Sequence, residues 1–388
     1  MVVDAGTGTR REAVLRFQRP SLPSAAQIEQ HFASAREAHW LSNGGPCWQR
    51  LRERLAERTG AFCVPVASGT AGLMAAVAAL HEPRPGEPPR EALMPSFTFP
   101  ATAQAARWAG LTPRLLDVDP HHWHVAPEQL ERELALRGER VALVIAVSSF
   151  GTPPPPEVRR RWERACRDAG VSLIVDSAAG FGAIAADGVP VGRQGDVEVV
   201  SFHATKPFAI GEGGAVFTRS SELCERIELI VNFGLGADRS VQMPLGLNGK
   251  MSELHAATGL AVLDDFDAAL DVRRKAARAL REAAPSLGWQ RECERSTWQF
   301  VPVRFPDAAA AAAAEERSRG EVETRRYYLP LHRMPAFADA PVGADGLAHT
   351  ERLASQLVCL PMAADLSAEE LDSIAAALGA RRPALQQR

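Results

Sequence analysis

Residues 141–176 read VALVIAVSSFGTPPPPEVRRRWERACRDAGVSLIVD, and this stretch decides the fold. It opens on an apolar run, residues 141–148, too short for a helix and bounded by turn residues, which reads as a buried strand. The four prolines Pro153 to Pro156, after the strand and Gly151, read as stiffening a crossover loop rather than as a ligand for a proline-binding domain. Residues 157–169 then carry charged and apolar side chains at helical spacing, and residues 172–175 form a second apolar run that closes on Asp176. Strand, helix, strand in that order is a crossover unit of a parallel sheet.

The same alternation continues outward. Apolar runs at 92–94, 114–118 and 197–202 read as further strands, with helices at 70–80, 102–109, 127–136 and 157–169 between them. Two helices, 25–38 and 49–59, precede this region and flank the turn-rich Ser42-Asn43-Gly44-Gly45-Pro46. The expected fold class is therefore α/β, a mainly parallel, mixed sheet between layers of helices. A long helical stretch, 252–284, leads into a different pattern. There, 298–305, 322–328 and 357–360 read as strands, and 308–319 and 367–378 as helices. The chain thus divides into a large domain with a helical N-terminal segment, residues 1–255, and a linking helix with a small α+β domain, residues 256–388. The polar, glycine-containing segment 339–346 reads as that domain's mobile loop.

Composition narrows the functional classes. The 388 residues are 46% hydrophobic and 23% charged, which fits a globular chain and excludes a fibre or a disordered tail. With 44 basic and 47 acidic side chains the net charge is −3, so no excess positive field draws in nucleic acid. Arg159, Arg160 and Arg161 open a surface helix and read as a solvated face. The longest apolar runs, 141–147 and 308–314, fall well short of the roughly 20 residues that span a bilayer. The first ten residues hold no apolar stretch of signal-peptide length, and the expected location is cytoplasmic. The six cysteines lie far apart without C-x-x-C spacing, consistent with reduced, buried thiols. His121-His122-Trp123-His124 lacks a second ligand group at suitable spacing, so no metal site is expected.

In an open parallel sheet, groups just beyond the carboxyl ends of the strands share one crevice. Asp176 ends one strand and Lys206 follows another by a few residues. Ser68-Gly69-Thr70 stands at a helix start, where free backbone N–H groups bind an anion such as phosphate; it is equally an ordinary N-cap. Ser201 and Gly211-Glu-Gly-Gly214 flank Lys206 and leave room for a flat ligand. A phosphate cradle, a lysine and a buried aspartate together suit pyridoxal 5′-phosphate. Its aldehyde needs an amine for an imine, and its pyridine nitrogen needs a carboxylate to keep its proton.

The stretch Ser201-Phe-His-Ala-Thr-Lys206-Pro-Phe-Ala-Ile-Gly-Glu212-Gly-Gly-Ala resembles the lysine motif of the DegT/DnrJ/StrS family of sugar aminotransferases, which have the aspartate-aminotransferase fold, fold type I. Further matching blocks follow one another along the chain: Trp40 to Pro46, Ala67 to Thr70, Pro95 to Thr102, Val175 to Ala178, Gly246 to Glu253 and Pro330 to His332. The resemblance implies that Lys206 carries the cofactor as an imine and shuttles the proton, and that Asp176 pairs with the ring nitrogen. It implies that Phe99 stacks on the ring and that Gly69, Thr70 and Ser201 bind the phosphate. It also implies that Asn248 reaches the phosphate of the neighbouring subunit in a homodimer with shared sites, and that His332 lies on the substrate side. Three departures stand out: Ala179 in place of the family's Gln or His, and Gly249 and Lys250 where an aromatic and an arginine are usual.

The implied reaction moves an amino group from L-glutamate to a nucleotide-linked keto sugar, and the motif pattern leans towards a 4-keto-6-deoxy sugar. A cyclitol or other free ketone as acceptor stays open, as does a non-catalytic relative that regulates or scaffolds. Lys206 argues against the family's dehydratase branch, where a histidine stands in its place.

Overall fold

The computed structural model describes residues 14–83, 86 and 88–380. The reading of the first ten residues lies outside this range. The elements run α1 (Ala25–Glu37), α2 (Pro46–Thr59), β1 (Phe62–Val66), α3 (Gly69–Leu80), β2 (Glu91–Pro95), α4 (Pro100–Trp108), β3 (Thr112–Leu116), α5 (Pro127–Arg137) and β4 (Val141–Val147). They continue with α6 (Pro156–Asp168), β5 (Ser172–Asp176), β6 (Val197–Ser201), β7 (Gly214–Thr218), α7 (Ser221–Val231) and α8 (Glu253–Ala283). After these come β8 (Val301–Arg304), α9 (Ala308–Ser318), α10 (Ala348–Gln356), β9 (Leu357–Leu360) and α11 (Ala368–Ala377).

Seven strands form one sheet in the order β1-β7-β6-β5-β4-β2-β3, and β7 alone runs against its neighbours. The deciding stretch is β4-α6-β5, paired in parallel with Val147 opposite Asp176. All seven residues of β4 are buried, as a strand covered on both faces requires. One core layer packs α2, α3 and α8 against the sheet, and another places Trp162 of α6 and Leu130 of α5 on the opposite face. The fold class is the α/β arrangement expected, a mostly parallel mixed sheet flanked by helices.

Two strands escaped the sequence reading. In β1, Pro65 argues against a strand, yet β1 lies at the sheet edge, where a missing N–H is tolerated. In β7, the glycine-rich start masks a fully buried run, Gly214-Ala-Val-Phe-Thr218. Gly214 is required there, because a Cβ would sit 2.7 Å from Val200 O and 2.8 Å from Gly69 N.

The C-terminal part holds the antiparallel pair β8-β9, packed with α9 and α11 around Val303, Ile374 and Leu280 of α8. The expected strand at 322–328 does not form. Its segment makes isolated bridges, Val322 to Leu15 and Arg325 to Cys359, because the Glu323 carboxylate takes the Phe17 N–H and no continuous ladder follows. Nor does 339–346 behave as a free loop. Leu115 N donates to Pro341 O and Gly343 N to Leu115 O, so the segment seals the open edge of β3. Arg159 also differs from the solvated face expected of it: it is buried and ion-pairs with Asp187 at 2.6 Å.

All six cysteines are buried and unpaired. Among the described residues no helix is long and apolar enough to cross a membrane, and no three His, Cys, Asp or Glu cluster as metal ligands.

Candidate active site

The carboxyl ends of β4, β5 and β6 open into a cavity of about 660 Å³ whose lining includes Gly69, Thr70, Phe99, Asp176, Ser201 and Lys206. Six of the eight residues singled out by sequence thus meet in one place although 137 positions separate Gly69 from Lys206. Asn248 and His332 do not line it. Asn248 is exposed and bridges to Asn232, while His332 is held between Ser96 Oγ at 2.7 Å and Glu351 Oε1 at 2.5 Å.

The anion-binding corner comes from α3. Ser68 spends its side chain capping the helix, accepting from Ala71 N at 3.1 Å. The cap therefore coexists with the cradle, because the amides of Gly69 and Thr70 remain at the helix start beside the cavity. Gly69 is forced by packing: a Cβ there would lie 2.8 Å from Ser201 Cβ and 3.2 Å from Ser201 Cα. Gly69→Ala must push α3 from β6 at the point where phosphate would sit. The expected loss is about 1–3 kcal/mol of stability together with faster cofactor dissociation, read by thermal unfolding and by absorbance decay on dilution.

Asp176 ends β5, 5% exposed. Thr102 Oγ1 donates to Oδ2 at 2.7 Å and Ala178 N to Oδ1 at 3.2 Å. Burial raises the carboxyl above its usual value, against the pull of Thr102, Lys206 and the Ala178 N–H. Among the described residues it has no ion-pair partner within 4.0 Å, so it is a buried acceptor suited to a cationic N–H.

Lys206 sits on the loop after β6, in a turn closed by its N–H to His203 O at 2.8 Å. Its Nζ donates to Gln299 Oε1 at 3.3 Å, and Gln299 Nε2 in turn donates to Thr205 O at 3.1 Å. Burial lowers the amine to about 8, although the Asp176 charge opposes it. The chain has only three lysines. Lys250 lies over the Phe233 ring at 4.2 Å and Lys275 is outside the cavity, so Lys206 alone presents an amine to this crevice. For the imine that the sequence leads one to expect at Lys206, the neutral amine is the reacting form, so the rate of pyridoxal 5′-phosphate uptake should rise with pH through a midpoint near 8. An ordinary exposed lysine places that midpoint at about 10.4. A stopped-flow absorbance series across pH checks this.

Several groups here escaped sequence reading. Thr102 lay inside a quoted motif without an assigned role. Gln299 and Tyr328 come from the C-terminal region and carry no local signal; Tyr328 stacks on Phe150 at 5.1 Å and closes the cavity wall.

A family model for the DegT/DnrJ/EryC1/StrS aminotransferase family matches residues 24–379. The chain belongs to this family. It is 35% identical over 369 residues to protein Rv3402c of Mycobacterium tuberculosis, covering 93% of this chain and 89% of that one. A dTDP-4-amino-4,6-dideoxy-D-glucose transaminase of Shigella dysenteriae is 29% identical, with 92% and 96% covered. The crystal structure of a putative PLP-dependent aminotransferase from Bacillus cereus superposes with a TM-score of 0.86 at 29% identity, covering 94% of this chain and all of that one. DesI, solved in the presence of its TDP-sugar product, gives 0.83 at 32% identity, with 95% and 92% covered.

Proposed function

We propose that this aminotransferase-family chain uses pyridoxal 5′-phosphate to move an amino group from L-glutamate to the keto carbon of a nucleotide-linked sugar, most specifically a 4-keto-6-deoxy sugar. One observation carries the reading: an amine, a buried carboxylate and a helix N-terminus face one cavity large enough for a flat cofactor and part of a sugar. The donor set fits the cofactor. Among the described residues Asp176 is a buried acceptor with no ion-pair partner within 4.0 Å, and Gly69 leaves a cradle that a Cβ would fill. The named transaminase relative and DesI support the sugar class.

Bound there, the cofactor would supply the electron sink for a carbanion at the donor's α-carbon. Lys206 Nζ would take the proton from that carbon and pass it to the cofactor, and in the second half would move a proton the opposite way onto the former keto carbon of the sugar. Asp176 holds the ring nitrogen's proton, with Thr102 fixing the carboxylate. The amides of Gly69 and Thr70 and the Ser201 hydroxyl hold phosphate, and Phe99, 57% exposed at the cavity mouth, covers the ring face. We assign Asn248 to the partner subunit's phosphate in a cytoplasmic homodimer with shared sites, and His332 to the approach of the sugar. The division at residues 1–255 and 256–388 belongs to the same reading, with the join in the first turn of α8.

The test is amino transfer from glutamate to a panel of nucleotide-linked 4-keto sugars, 3-keto sugars and free cyclitol ketones. Turnover confined to free ketones refutes the sugar assignment.

A further inference from the structure

Beneath the cavity floor runs a chain of three buried oxygen-bearing side chains with no role in the reaction described so far. Ser148, immediately after β4, lines the cavity beside Asp176, to whose backbone oxygen it donates its N–H at 2.9 Å. Its Oγ lies 2.9 Å from Ser177 Oγ, and Ser177 Oγ lies 2.5 Å from Glu198 Oε1. The other carboxyl oxygen, Oε2, accepts from Gly192 N at 2.6 Å and Gln194 N at 3.0 Å. Relative exposures are 3% for Ser148 and 0% for both Ser177 and Glu198. The chain is thus a dead end at Glu198 and open only at the cavity.

Each hydroxyl has one proton, so the chain has two polarities. With Glu198 ionised, Ser177 donates to Oε1, Ser148 donates to Ser177, and only lone pairs face the cavity. With Glu198 protonated on Oε1, the order reverses, and the Ser148 O–H points into the cavity. The geometry points to the second polarity in the loaded protein: Glu198, through Ser177, aims the Ser148 hydroxyl as a donor at the oxygen substituent on the cofactor ring. An anionic ring oxygen and an ionised Glu198 cannot both be satisfied without breaking the line: two hydroxyl protons would face three links, and the 2.9 Å Ser148–Ser177 contact would be left with none. At position 179, which also lines the cavity, the chain offers only a methyl group, and the Ala179 carbonyl is already taken by Thr297 Oγ1 at 2.6 Å.

The surroundings allow Glu198 to keep that proton. Burial raises its carboxyl to about 7, despite Ser177, the Gln194 and Gly192 amides and the Arg159 charge, which all favour the ionised form. From α6, Arg159 is itself paired with Asp187 at 2.6 Å and faces Glu163 at 3.7 Å, so its charge is largely engaged elsewhere. The opposite strand partner on β7 is Phe217 and brings no charge.

This inference rests on the cofactor reading above, and an absorbance titration of the protein loaded with pyridoxal 5′-phosphate separates the two. The band of the cofactor bound at Lys206 changes with pH as the imine nitrogen loses its proton. That loss leaves the ring oxygen's charge without its internal partner, so a donor from Ser148 lowers the midpoint. Ser148→Ala should raise it by about one pH unit; Ser177→Ala, which leaves the Ser148 O–H in place but no longer aims it, should raise it by less, and the double variant no further than Ser148→Ala alone. Glu198→Gln should leave it near wild type, because the amide N–H donates to Ser177 while the amide oxygen keeps the Gly192 and Gln194 bonds. Both serine variants with unshifted midpoints and full cofactor bands overturn the relay, as does Glu198→Gln shifting as far as Ser148→Ala. A wild-type chain showing no band at all overturns instead the cofactor reading beneath it.

Discussion

Lys206→Ala is expected to abolish amino transfer, with turnover lowered by at least about 10⁴-fold. In the proposed function two losses combine at one atom, the covalent anchor for the cofactor and the base that carries the proton. No neighbour replaces it, because Lys250 is held over Phe233 and Lys275 lies outside the cavity. Gln299, its hydrogen-bond partner, cannot accept and release a proton at neutral pH. Folding should survive, since an amine lowered to about 8 by burial strains the folded state at neutral pH. The sign follows from linkage: a depressed lysine costs stability below its folded-state value and ceases to do so as pH rises through it towards the unfolded value. The variant should therefore melt no lower than wild type at pH 7 without cofactor. Borohydride reduction followed by peptide mapping should label position 206 in the wild type and no lysine in the variant. Labelling at Lys250 or Lys275 refutes the assignment.

Asp176→Asn is expected to keep the fold and lose most of the activity. The amide preserves size and can still accept from Thr102, but it cannot compensate a protonated ring nitrogen. Removing one partner of a buried charge pair costs about 3–5 kcal/mol, or a factor of about 10²–10⁴ in kcat. In the cofactor-free protein the effect reverses. Burial raises the Asp176 carboxyl, so its ionised form opposes folding once pH passes the ordinary carboxylate range. The neutral amide of the variant removes that penalty, and the melting temperature at pH 7 should rise without cofactor while kcat falls. Equal losses of stability and activity point instead to a structural role for the side chain. Together the two variants test whether the crevice is built for binding at the expense of the empty fold.

Much of the architecture was legible because periodicity is local. The β4-α6-β5 crossover, the helices around it and the end of β5 at Asp176 all follow from the spacing of apolar residues within a dozen positions. The same holds for the N-cap at Ser68 and the long helix α8. Where the reading failed, the information was not local. Strand β1 is tolerable with Pro65 only because it lies at an edge, and β7 is a strand because β1 and β6 flank it on both sides. Segment 322–328 lacks a ladder because its neighbours meet it at single points.

The sequence by itself determined the chemistry on offer: one lysine and one aspartate after separate strands, a Ser-Gly-Thr helix start, and motif blocks in family order. A residue's type and the periodicity around it are written in the chain and need no partner to be read. Tertiary structure alone decided which groups share the cavity and in what state. It brought Gln299 and Tyr328 from the C-terminal region to the wall, left Asn248 and His332 off it, buried Asp176 against Thr102, and placed Glu198 behind Ser177 and Ser148. Burial and hydrogen-bond polarity depend on contacts between residues far apart in sequence, and those contacts exist only once the sheet has closed its helices around them.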